Sequence, residues 1–239
     1  MAVLDSNNQK FDQIDMSGDF LRYLTWRWHR CEDRSFDSRY GIDTRQGDGA
    51  YLQKLSTDAA QFAVPYEPIQ VFMFRRMLGE LRLNCRDYVF VDLGSGKGRA
   101  VLLAAEAGFA EVIGVEFAPE IHRSALANVA AFTRKDEAGR RIRLVCQDAA
   151  VYDLPAKNLV LFLYNPFFGE VMKAVASKVA NFLEESDCDL VLLYRNPQCA
   201  DLFDALPGLR VVASSESYRI YRRCDLSGRS SRRAGSASL

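Results

Sequence analysis

Two histidines, His29 and His122, are all that the 239 residues contain. Six cysteines, at positions 31, 85, 146, 188, 199 and 224, never form a CxxC pair. With ligands this sparse, neither a zinc site nor a disulfide framework is expected. Scattered thiols in an apolar setting point to a reducing, cytoplasmic compartment. No stretch reaches the ~18 consecutive apolar residues of a membrane span. The opening MAVLDSNNQKFDQID has no apolar run to act as a signal peptide. An excess charge is missing too, since 31 Lys and Arg offset 31 Asp and Glu. Nothing global therefore favours nucleic acid, which usually needs a basic face; a local basic patch stays open.

What is present is a large apolar fraction, 49% of the chain, enough to bury a full core without covalent staples. Three regions follow. Residues 1–84 form a polar and aromatic N-terminal extension of helices and loops. Ser17-Gly18-Asp19 precedes a helix expected over 20–31, and FDSRYGIDTRQGDGAYL reads as loop. Pro68 suits a first helical turn, and Ile69, Phe72, Met73, Met77 and Leu81 continue at helical spacing. Residues 85–224 alternate strand and helix. Strands are expected at 88–93, 111–115, 142–146, 159–163, 189–194, 209–213 and 218–221. Helices are expected at 99–107, 119–133, 170–183 and 198–205, with Val171, Val175, Val179 and Phe182 on one buried face. Short apolar runs separated by helices imply a mostly parallel α/β sheet covered on both faces. The closely spaced last two strands suggest an antiparallel ending. Residues 225–239 are Ser/Arg/Gly-rich and read as a disordered tail.

The strongest chemical signal is YVFVDLGSGKGRAVLLAAEAG at 88–108. A β-rich run ends in Asp92, then Gly94, Gly96 and Gly98 follow at two-residue spacing before a helix. Glycines there let the backbone turn tightly and approach a ligand, and the helix start adds free N–H groups. A phosphate-binding P-loop fails, because Val91 stands where its first glycine belongs and Gly98 follows Lys97. A dinucleotide GxGxxG is weak, because Arg99 occupies its third glycine position.

The remaining pattern, acid-x-Gly-x-Gly-x-Gly after a strand, resembles motif I of the class I S-adenosylmethionine-dependent methyltransferases. The resemblance covers 85–224 and implies a Rossmann-like, seven-stranded, mostly parallel fold, with S-adenosylmethionine bound against Asp92, Gly94, Ser95, Gly96 and Gly98. Glu116, 24 residues after Asp92 at the next strand end, matches the acid that holds ribose hydroxyls; a solvated acid is the plainer reading. Asp148, in VCQDAA, matches the acid that meets the adenine amino group, or it simply caps a turn. In LFLYNPFFGE, Tyr164, Asn165 and Phe167 stand where amine-methylating relatives carry a D/N/S-P-P-aromatic turn. An Asn carbonyl there accepts from an NH₂ group and aims its lone pair at the methyl, while a ring packs on the substrate. Here Phe167 replaces the second proline, and a structural Asn-Pro turn is the alternative. The wording DLGSGKGR is also similar to the non-SET lysine methyltransferase branch, in which FDSRYGIDT and YEPI would be a cofactor lid.

Upstream, Tyr23, Trp26, Arg27, Trp28, His29 and Arg30 mix rings and bases, but Glu32, Asp33 and Asp37 cancel that charge, so an amphipathic helix outweighs a nucleic-acid surface. Tyr40, Asp43 and Tyr66 either close over the cofactor or form an ordinary loop. Arg229, Arg232 and Arg233 read as a solvated cluster. The expected activity is methyl transfer from S-adenosylmethionine, without a metal, to a methyl-acceptor substrate: a protein side chain first, then a small amine or hydroxyl, then nucleic acid. The rivals are a catalytically silent cofactor-binding module acting through partners and a nicotinamide-dependent oxidoreductase.

Overall fold

The computed structural model describes residues 29–45, 63–64 and 66–224. Expectations for 20–28, for the end of the FDSRYGIDTRQGDGAYL loop and for the tail lie outside these residues. In chain order the described elements are helix α1 (29–40), α2 (Val71–Gly79), β1 (Val89–Leu93), α3 (Arg99–Glu106), β2 (Glu111–Glu116), α4 (Pro119–Thr133), β3 (Ile142–Cys146), β4 (Leu159–Tyr164), α5 (Gly169–Glu185), β5 (Leu190–Arg195), α6 (Ala200–Asp204), β6 (Leu209–Ser215) and β7 (Tyr218–Arg223).

The strands make one seven-stranded sheet in the order β3-β2-β1-β4-β5-β7-β6. β1 to β5 run parallel, and β7 is antiparallel to both β5 and β6. This is the Rossmann-like architecture expected, with the reversed ending produced by the short β6–β7 connection. Every residue of β1 is buried, as both-faced coverage requires. Alternate side chains serve opposite faces. Phe90, Phe162 and Leu193 join α2 and α3 on one face. Val91, Leu161 and Leu192 join Val171, Val175 and Val179 of α5 and Phe203 of α6 on the other. β1 and β4, adjacent and central, carry the chain reversals that end in the glycine loop and the Asn-Pro turn. Their C-terminal ends therefore open on one edge of the sheet.

Three expectations change. Residues 36–40, read as loop, are the last turns of α1. Phe36 and Tyr40, four apart, bury one helix face, and the Tyr40 ring meets Phe132 of α4 with centroids 4.4 Å apart. Tertiary burial decides the conformation there, and the Gly/Asp-rich composition beyond it hid the pattern. Pro68 is not in a helical turn, because α2 begins at Val71 after an extended Gln70. Its first amide donates to Asp33 Oδ1 of α1 at 2.8 Å, so a distant carboxylate does the capping. The helix placed at 198–205 is shorter, Ala200–Asp204.

Candidate active site

The loop after β1 turns through Gly94, Gly96 and Gly98, each at positive φ (84°, 54° and 91°). A side chain at Gly94 would collide with Pro166, and one at Gly96 with the ring of Tyr66. The loop is thus covered from two sides, by the turn after β4 and by the segment before α2. Gly94 and Ser95 donate their amides to Val115 O of β2, both at 2.9 Å, which ties the loop to the neighbouring strand. The Ser95 hydroxyl is buried without a hydrogen-bond partner. Gly98 faces neither cavity at this edge; it is the left-handed cap of α3.

Glu116 closes β2. Its Oε2 accepts from the Gly96 amide and its Oε1 from the Ala118 amide, each at 2.9 Å. Burial pushes its carboxyl up, and the amides of Ala118, Gly96 and Phe117 pull it back. Asp92, 3% exposed, is held well above the usual carboxylate range by burial, with the Glu116 charge adding to the shift. Asp148 caps its own turn, Oδ1 accepting from the Ala150 amide at 2.8 Å, and lines the cleft as well.

After β4, Asn165 takes a positive φ of 37°. Phe167 is buried among α5 and β-sheet residues and forms an antiparallel bridge with Ala63. The Pro166 carbonyl accepts from Val64 N at 3.1 Å, so the N-terminal segment docks on this turn. Burial and the Glu67 carboxylate, which hydrogen-bonds it, push the Tyr164 phenol up to about 12, against the pull of Arg195. The Arg195 guanidinium stands 5.4 Å from the Tyr164 ring centre.

One cleft at the sheet's C-terminal edge gathers Tyr66, Gly94, Gly96, Glu116, Asp148, Tyr164, Asn165 and Phe167. Asp92 and Ser95 line a smaller cavity that adjoins it through Tyr66, Gly94 and Tyr164. Tyr40 does not line it: its hydroxyl donates to Glu106 Oε1, at the end of α3, at 2.9 Å. Asp43 is paired with Arg45 at 2.9 Å instead. The cleft also holds two residues that the motif reading passed over, Glu67 and Asn196. Asn196 follows β5, the parallel neighbour of β4, where Tyr164 pairs with Arg195. It too has a positive φ, 50°, and it too precedes proline. The repeated Asn-Pro at adjacent strand ends was the signal available. Among the described residues, the charged side chains lining the cleft are Glu67, Glu116 and Asp148, with no Lys, Arg or His.

A seven-stranded sheet of this order now carries the glycine loop at the end of β1 and an acid at the end of β2. This is the fold of the class I methyltransferases that the loop resembles. No protein-family model and no curated protein matches the chain. Among solved structures it is similar to a precorrin-6Y C5,15-methyltransferase from Geobacter metallireducens, at 18% identity over 69% of this chain and 94% of that one, with a TM-score of 0.49. It is similar to an RNA methyltransferase from Salinibacter ruber in complex with S-adenosyl-L-homocysteine, at 18% identity, 65% and 92% coverage and a TM-score of 0.44. A ribosomal protein L11 methylase from Lactobacillus delbrueckii subsp. bulgaricus follows at 16% identity, 68% and 80% coverage and a TM-score of 0.48. At such identities and scores the likeness assigns neither substrate nor reaction.

Proposed function

We propose that this chain is an S-adenosylmethionine-dependent methyltransferase acting on an amine nitrogen, with a protein side chain as the first candidate acceptor. The observation that carries this reading is the composition of the cleft: a glycine loop and three carboxylates, without a basic side chain among the described residues. Such a lining disfavours the pyrophosphate of a nicotinamide dinucleotide, which favours basic groups. It suits a cationic ligand. The residues present fit S-adenosylmethionine: the buried Ser95 hydroxyl has no partner, and Glu116, although backbone amides reach both of its oxygens, keeps lone pairs for ribose hydroxyls.

When bound, the cofactor supplies a methyl group on a sulfonium sulfur, already activated for in-line displacement. The chain's own part is alignment and exclusion of water. Glu116 would orient the ribose, Asp148 would meet the adenine amino group, and Asp92 would lie near positive charge. The Asn165 carboxamide would accept an N–H of the acceptor and turn its lone pair towards the glycine loop. Tyr164 and Phe167 close that end of the cleft. A lysine-like amine, with a reference pKa of about 10.4, must lose its proton before attack. Desolvation in the cleft favours that loss, and the exposed Glu67 carboxylate beside Tyr164 gives the proton a way to solvent.

The test is transfer of label from methyl-labelled S-adenosylmethionine in a cell extract supplemented with the purified chain. Label in protease-sensitive macromolecule, recovered by mass spectrometry on a nitrogen, is the expected result. Label in nuclease-sensitive or small-molecule fractions would replace the acceptor. No label in any fraction, despite S-adenosylhomocysteine binding, would leave a silent binding module.

A further inference from the structure

Arg99 begins α3, three residues beyond Gly96, yet its side chain is 3% exposed. A buried guanidinium is costly unless its donors are paired. Its partners all come from residues 33–69. Nη1 stands 3.3 Å from Asp33 Oδ2 and Nη2 stands 3.3 Å from Asp37 Oδ2. Nε donates to Thr44 Oγ1 at 2.6 Å, and Nη1 to Ile69 O at 3.4 Å. Asn128, buried on α4, makes a second clamp. Its Nδ2 donates to Lys97 O in the glycine loop and to Asp43 O, and its Oδ1 accepts from Asp43 N, each at 3.0 Å.

Thr44, fully buried, is held by Arg99 directly and by Asn128 through the backbone of the preceding residue, Asp43. Its own hydroxyl and amide donate to Asp37, at 2.7 and 3.1 Å. Its carbonyl accepts the Tyr66 hydroxyl at 2.8 Å, and the Tyr66 ring lies against Gly96. A chain of polar contacts thus starts at one end of the glycine loop, passes through the N-terminal segment, and returns to the middle of the loop as an aromatic ring.

We infer that Arg99 and Asn128 are positioning residues of the cofactor site. They fix Thr44, Thr44 fixes Tyr66, and the Tyr66 ring forms a wall over Gly96 that sets cofactor affinity. The affinity part of this inference rests on the proposed function; the placement of the ring does not.

Arg99→Lys keeps the charge and loses the fork that reaches four partners. In the cofactor-free protein, the Gly96 NMR resonances report the ring current of Tyr66, with Tyr66→Ala as the ringless reference. Arg99→Lys is expected to move the Gly96 resonances at least halfway to that reference. Unchanged resonances overturn the inference, even if thermal stability falls, because a merely structural Arg99 would lower stability without moving the ring. In the affinity arm, S-adenosylhomocysteine should bind about tenfold more weakly to Arg99→Lys, and Arg99→Lys/Tyr66→Ala should bind no more weakly than Tyr66→Ala alone. Additive losses overturn the coupling. A wild-type chain that binds no S-adenosylhomocysteine removes the proposed function, while the resonance arm still decides the placement. Should Arg99→Lys fail to fold, Asn128→Ala, which removes the second clamp, and Tyr66→Phe, which removes the hydroxyl bond to Thr44, are expected to shift Gly96 in the same direction, and their silence overturns the inference.

Discussion

The Glu116 carboxylate accepts from Gly96 and Ala118 before any ligand arrives, so it shapes the glycine loop and also faces the cleft. Glu116→Ala should weaken S-adenosylhomocysteine binding by about 10- to 100-fold in calorimetry, the range for losing charged hydrogen bonds. Asp92 makes a different prediction. Burial holds its carboxyl protonated in the folded chain across a pH range in which the unfolded chain, near the ordinary value of 3.8, has already ionised. The unfolded state then binds fewer protons, and stability falls as pH rises through that range. Cofactor-free Asp92→Asn should therefore melt a few degrees higher than wild type at pH 7, and the gain should vanish below pH 3.8. A difference that is constant with pH would show that Asp92 does not titrate in this way. Asn165 and Asn196 hold left-handed backbone, which costs a non-glycine residue about 1 kcal/mol. Asn165→Gly and Asn196→Gly should each raise stability by up to about that much while lowering turnover at least tenfold, with cofactor affinity little changed. Wild-type turnover in either variant would make that turn structural.

At the level of elements, the site is a meeting of five strand ends, β1 to β5, with a segment that precedes the sheet. The glycine loop owes its shape to both. Gly96 needs its positive φ and also the absence of a Cβ, because Tyr66 occupies that space. Gly96→Ala should therefore destabilise by the backbone cost of about 1 kcal/mol plus the collision. In a Tyr66→Ala background only the backbone part should remain. A double-mutant cycle by chemical denaturation reads the difference, and strict additivity would mean that ring and loop do not touch. The segments that carry Tyr66 and Glu67 were harder to read than the loop. YVFVDLGSGKGR announces a strand, a turn and a helix within a dozen residues, all by local chemistry. Tyr66 is placed by Thr44, 22 residues earlier, and Thr44 by Arg99, 55 residues later. No spacing rule connects residues so far apart.

On the scale of the molecule, two apolar faces sandwich the sheet, and the polar cleft sits only at its C-terminal edge. Among the described residues no helix is long and apolar enough to cross a membrane. Ligand binding at that edge should stabilise the whole sheet by linkage. At a hundred times its dissociation constant, S-adenosylhomocysteine should add about 2.7 kcal/mol, or roughly 5–10 °C in Tm for a chain of this size. NAD at the same concentration should add nothing. The reverse pattern in a thermal-shift assay would revive the oxidoreductase reading.

The order and kind of nearly every element from β1 to β7 were written in the sequence, because each strand is a short apolar run and each helix a periodic one. Ile142–Cys146 and Pro119–Thr133 have the boundaries expected. The acid and glycines of the loop were legible for the same reason: local geometry demands those residue types. Tertiary structure alone decided the rest. It turned 36–40 into helix by burying Phe36 and Tyr40, and it moved the start of α2 by lending it a carboxylate from α1. It also brought Glu67 and Asn196 beside Asn165, and closed the loop with a tyrosine held through a buried arginine. These depend on which surfaces meet once the sheet has formed, and a one-dimensional pattern carries periodicity but not the pairing of distant polar groups.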